Sequence, residues 1–62
     1  MIILRENNSG LYVGQAPRDG DTVKVRKYNG AWEVGECCSI NAPFYDIRLQ
    51  NNCIITIRII SN

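Results

Sequence analysis

The dipeptide Asn29-Gly30 lies between two stretches that alternate apolar and polar side chains, and no other feature limits the fold as tightly. Upstream, Thr22-Val23-Lys24-Val25-Arg26-Lys27-Tyr28 puts Val23 and Val25 on one face and Lys24 and Arg26 on the other, the period-two pattern of a half-buried strand. Asn-Gly is the favoured pair for a two-residue type I′ turn, because both central residues of that turn need positive φ. The return strand is then 31–37, with Tyr28 opposite Ala31, Arg26 opposite Glu33 and Val25 opposite Val34. That register predicts one charged, cross-paired face and one core face. Gly35, in mid-strand, predicts a bulge or a sharp bend.

The rest of the chain follows the same alternation. Residues 1–5 read as a first strand closed by Glu6-Asn7-Asn8-Ser9-Gly10, and 11–15 as a short second strand before the turn Pro17-Arg18-Asp19-Gly20. After a loop at 39–43, the segment 44–50 sets Tyr45, Ile47 and Leu49 on one face and Phe44, Asp46 and Arg48 on the other. The last segment, 53–60, is apolar on both faces apart from Thr56 and Arg58. To bring Ile47 and Leu49 beside Cys53, Ile55 and Ile57, the intervening loop must hold an odd number of residues. This predicts Gln50-Asn51-Asn52, with Asn52 in the left-handed region that Asn tolerates. Strand-like segments separated by turn clusters roughly every 8 to 12 residues predict an all-β domain, without a helix longer than one turn. The expected architecture is a small, partly open barrel of about five or six antiparallel strands, with Val23, Val25, Val34, Ile47, Leu49, Ile55 and Ile57 in its core.

With 62 residues the chain makes a single domain, 1–62. A domain of that size buries only about 60% of its unfolded surface, enough for one core but not for a deep cavity in one copy. Isoleucines on both faces of the last segment, Ile54 and Ile60 against Ile55, Ile57 and Ile59, predict an apolar patch that meets a second copy or a protein partner. Covering the edges of a small barrel by association also predicts a homo-oligomer. No window approaches the roughly 20 apolar residues of a membrane span, and the opening Met-Ile-Ile-Leu-Arg is too short for a signal-peptide core, so no membrane role and a cytoplasmic location are expected. Cys37, Cys38 and Cys53 are an odd, sparse set and are expected to be reduced. Nine Ile and seven Asn fit an AT-rich coding sequence such as that of a phage or mobile element.

From Asp19 onward the string Asp-Gly-Asp-Thr-Val-Lys-Val-Arg-Lys-Tyr-Asn-Gly-Ala-Trp-Glu-Val-Gly-Glu, then Phe-Tyr-Asp-Ile-Arg-Leu, resembles the Tudor and Agenet group of SH3-like barrels over residues 19–59. The resemblance implies an SH3-like fold and says little about ligand, because that barrel hosts unrelated functions. Tudor readers of methylated lysine or arginine hold the cation in an aromatic cage. Aligned on Gly20-Asp21, the cage positions fall on Pro17, Val23, Leu49 and Ile55, so the cage is missing. Gly20-Asp21 through Gly30-Ala31-Trp32 is also similar to the first hairpin of the type II dihydrofolate reductases, which build one active pore from four copies. Their chemistry depends on a Val-Gln-Ile-Tyr segment, and Ile54-Ile55-Thr56-Ile57 stands there instead.

The side-chain inventory argues against catalysis. The chain has no histidine, the commonest general base and metal ligand. Cys37-Cys38 with Cys53 lacks zinc spacing and a fourth ligand, Asp19 and Asp21 flank a turn glycine, and no glycine-rich phosphate motif is present, so neither metal nor cofactor is expected. The net charge of +1 is neutral on nucleic acid, but the placement of the charges is not. Lys24, Arg26, Arg48 and Arg58 all project from strands on the expected outer face, a basic stripe interrupted by Glu33 and Asp46 with Phe44 and Tyr28 beside it. Cations interleaved with aromatics are the make-up of surfaces that bind single-stranded nucleic acid, phosphates meeting the charges and bases stacking on the rings. The expectation is a non-enzymatic binding module for nucleic acid using Lys24, Arg26, Tyr28, Trp32, Phe44, Arg48 and Arg58. The alternative is a protein-binding adaptor or inhibitor acting through the apolar patch. Trp32 has a plainer reading as well, packed on the stem of Lys27 or over the barrel mouth.

Overall fold

Alternation of Val and Ile with polar residues does produce strands, and they close on themselves. In the computed structural model, which describes residues 1–61, the strands are β1 (Ile2–Glu6), β2 (Tyr12–Gly14), β3 (Thr22–Arg26), β4 (Trp32–Asn41), β5 (Phe44–Arg48) and β6 (Ile54–Ser61). They form a closed barrel in the order β1-β2-β6-β5-β4-β3, measuring 25 × 24 × 18 Å. Consecutive strands β3 to β6 make an antiparallel meander, and the β1-β2 hairpin closes it through two parallel seams, β1 with β3 and β2 with β6. The all-β barrel is as expected. The expectation that it would be partly open and antiparallel throughout is corrected, because parallel pairing joins strands distant in sequence and leaves no turn signal between them. No helix among the described residues is long and apolar enough to cross a membrane.

The core is a single cluster of Leu4, Tyr12, Val23, Val25, Cys37, Tyr45, Ile47, Leu49, Ile57 and Ile59, with Ile2, Ala16 and Ile55 packed against it. Val23, Val25, Ile47, Leu49 and Ile57 lie where the pattern put them, and Ile55 is only partly buried. The β5-β6 connection also holds: Gln50, Asn51 and Asn52 form the loop, Leu49 N–H donates to Cys53 C=O at 2.7 Å, and Ile47 faces Ile55. Asn51 and Asn52 both take positive φ, 62° and 59°. The three cysteines are free, Cys37 buried, Cys38 half-buried and Cys53 exposed. Burial, then Asp19, pushes the Cys37 thiol up, the direction expected of a thiol packed in apolar surroundings.

Val34 is not in the core. The β3-β4 connection is a three-residue loop, not a two-residue turn: Lys27 N–H donates to Ala31 C=O and Gly30 N–H to Lys27 C=O, both at 2.8 Å. Gly30 alone of the pair has positive φ, 94°, as in a type I turn followed by a bulge. Asn29 spends its side chain instead, Oδ1 accepting Ala31 N–H at 2.9 Å, while Glu6 Oε1 accepts Tyr28 N–H at 2.9 Å from the neighbouring strand. One extra loop residue slips the register by one and turns every β4 side chain to the opposite face. Arg26 therefore faces Trp32 and not Glu33, Val25 faces Glu33, and Lys24 faces Val34, which is 37% exposed. Glu33 meets Lys27 Nζ at 3.5 Å.

The slip also gives Gly35 its reason. It lies opposite Val23, and a Cβ there would be 2.7 Å from Arg48 O and 2.8 Å from Ile47 Cγ2. A six-stranded barrel is too narrow for a side chain at every inward position, so glycine makes room for Ile47 and Leu49. The bulge expected at Gly35 falls instead between Cys37 and Ser39. Ser39-Ile40-Asn41, expected as a loop, continues β4 on the far side of it.

Candidate functional site

Strand order and the shifted register assemble an outward patch that no contiguous segment contains. Neighbouring strands place Trp32, Arg26, Arg5, Val13 and Ile60 in one lateral row across β4, β3, β1, β2 and β6. The row beside it carries Val34, Lys24 and Ile3. Trp32 is the centre of the charged part. Lys24 Nζ lies 4.9 Å from its ring centroid, Arg5 Cζ 5.6 Å and Arg26 Cζ 5.9 Å, within the range of cation–π attraction. The indole remains 43% exposed.

These cations lack carboxylate partners among the described residues. Among the described residues the ion pairs are Lys27 with Glu33 and Arg48 with Glu36, and neither involves Arg5, Lys24 or Arg26. Arg5 and Arg26 face one another directly across the β1-β3 seam. Like charges side by side on neighbouring strands repel one another. The Trp32 ring offsets part of that. An anion placed over the patch would offset more.

The remaining residues expected at the site are dispersed. Tyr28 is in the β3-β4 loop and 67% exposed. Arg48 is engaged by Glu36 Oε1 at 3.0 Å. Phe44 and Arg58 face each other across β5 and β6, on a different wall from Trp32. The expected continuous stripe is therefore two separate places, Lys24, Arg26 and Trp32 on one wall and Phe44 with Arg58 on another. Arg5 belongs to the first and was not singled out from the sequence. Its only signal there was the alternation Leu4 in, Arg5 out, and nothing local shows that β1 lies beside β3. The register slip turns Trp32 outward among the cations.

Compared with protein-family models, curated proteins and solved structures, the chain matches none. Among the described residues no group of three or more His, Cys, Asp or Glu converges as a metal site would.

Proposed function

We propose that this chain is a small non-enzymatic binding module that holds single-stranded nucleic acid against the Arg5, Lys24, Arg26 and Trp32 wall. The observation that carries it is three cations, without a carboxylate partner among the described residues, gathered round a half-exposed indole. Phosphates would take the cations, and a base would stack on the ring. Among the described residues the wall is a sheet surface without a helix longer than one turn to enter the groove of a duplex, which favours an unpaired strand. The closed barrel is compatible with an SH3-like module of Tudor or Agenet type that does not read methyl marks. Of the cage positions, Pro17, Val23 and Leu49 are buried and Ile55 is partly so. The reductase reading has less support, since Ile54-Ile55-Thr56-Ile57 lacks the polar residues that chemistry needs.

Trp32 is the only tryptophan, so its emission reports the site directly. Titration with an oligothymidylate of about twelve nucleotides should change that emission saturably, and Trp32→Ala should weaken binding by about 1 to 3 kcal/mol. Binding measured by anisotropy that leaves the emission and the Trp32→Ala affinity unchanged would place the ligand elsewhere.

Ile54, 56% exposed, and Ile60, 44% exposed, support a second reading in which an apolar face meets a protein partner or another copy. On this reading light scattering finds a dimer or larger species that Ile60→Asp dissociates; a monomer at high concentration discards it.

A further inference from the structure

The second wall, where Phe44 and Arg58 lie, has its own construction. The bulge after Cys37 realigns β4 on β5, so that Ser39 faces Asp46 and Asn41 faces Phe44. Cys38 Sγ donates to the Asp46 carbonyl at 3.5 Å and ties the bulge to β5. On the other side, Asp46 faces Thr56 and Phe44 faces Arg58. Two rows result across three strands: Ser39, Asp46, Thr56, and beside them Asn41, Phe44, Arg58. Between them lies a cleft of about 360 Å³ lined by Ser39, Asn41, Phe44, Asp46 and Thr56.

The groups in this cleft complement a purine with unusual economy. Phe44 is 47% exposed and offers a ring for stacking. Thr56 Oγ1 donates to Asp46 Oδ1 at 2.6 Å, which fixes the carboxylate and leaves Oδ2 and the second lone pair of Oδ1 to accept. Arg58 and Asp46 lie on one wall, yet among the described residues neither is in an ion pair. An ionised carboxylate accepts only. Among the bases, guanine alone presents two adjoining donors, N1–H and the N2 amino group, on its Watson–Crick edge. Adenine and cytosine set a ring-nitrogen acceptor beside their amino group, and uracil and thymine flank a single N–H with two carbonyls. Either arrangement puts an acceptor against the carboxylate.

We infer that this cleft takes one unpaired guanine, stacked on Phe44, its N1–H and N2 amino group donating to Asp46, with Asn41 or Ser39 donating to O6 and Arg58 meeting the attached phosphate. The inference rests on the nucleic-acid reading and gives it a base preference. It also accounts for Phe44 and Arg58, which the Trp32 wall does not use.

The test is a nuclear magnetic resonance titration of the full chain with guanosine, adenosine, cytidine and uridine monophosphates. Guanosine monophosphate should shift the amides of Ser39, Asn41, Asp46 and Thr56 and bind at least about fivefold tighter than the others, the low end of what a bidentate base contact delivers. Asp46→Asn should erase the preference and Phe44→Ala should weaken all four nucleotides alike. Thr56→Val, which keeps the charge and releases the carboxylate, should lower the preference even if Asp46→Asn fails to fold. Equal binding of the four nucleotides, or shifts confined to the Trp32 wall, would overturn the inference. Oligothymidylate, which has no guanine, separates this site from the broader reading. If it binds while guanosine monophosphate does not, the guanine site alone fails. If guanosine monophosphate is selected while oligothymidylate does not bind, the strand-binding reading fails and the cleft stands as a nucleotide site.

Discussion

Ile47→Ala is expected to remove most of the stability of this barrel, whereas Val34→Ala, a substitution of the same kind one strand away, is expected to be nearly silent. Ile47 is completely buried, faces Cys37 on β4 and Ile55 on β6, and fills the space that Gly35 leaves open. Truncating a buried Ile to Ala costs about 2 to 5 kcal/mol, through lost transfer energy and the cavity left behind. A chain this short has a total stability of only about 3 to 9 kcal/mol at typical values per residue. Urea unfolding of Ile47→Ala should therefore show a midpoint far below wild type, or no folded baseline at all. Val34 points outward beside Lys24, and an outward substitution usually changes stability by less than about 0.5 kcal/mol. The pair of measurements decides the register of the central hairpin. With a two-residue turn, Val34 would be core and its truncation would be felt as strongly as that of Val25.

That hairpin shows how far the sequence could be read and where reading stopped. Alternation located all six strands to within a few residues, because each has one face buried and the period of two survives wherever that is so. The β5-β6 loop was legible in length and parity, since Leu49, Cys53 and the apolar runs on either side admit only an odd count. At Asn29-Gly30 the same reasoning chose the wrong loop. The preference for a two-residue turn is local, and it lost to a side-chain bond from Asn29 to Ala31 and a carboxylate reaching over from Glu6, a residue 22 positions away. One residue of slip then exchanged Val34 for Gly35 at the core and moved Trp32 to the outside. The candidate site suffered the same loss. Lys24, Arg26 and Trp32 were identifiable by type, but their meeting with Arg5 depends on the parallel β1-β3 seam, for which no turn or spacing gives a sign. Phe44 and Arg58 alternate outward as expected, yet only the strand order reveals that they occupy another wall.

The most direct test of the central claim is the salt dependence of oligothymidylate binding to the wild type and to an Arg5→Ala, Arg26→Ala double variant. Each phosphate neutralised on a single strand contributes a slope of about 0.7 in log affinity against log salt. With Arg5, Lys24 and Arg26 all engaged, the wild type should show a slope near 2, and the double variant, keeping Lys24 alone, a slope near 0.7 together with weaker binding at every salt concentration. Both arginines are exposed and among the described residues neither is ion-paired, so the variant should fold as the wild type does and its lost affinity reads as lost phosphate contact. A wild-type affinity that ignores salt, or a slope that the double substitution leaves unchanged, would contradict the account.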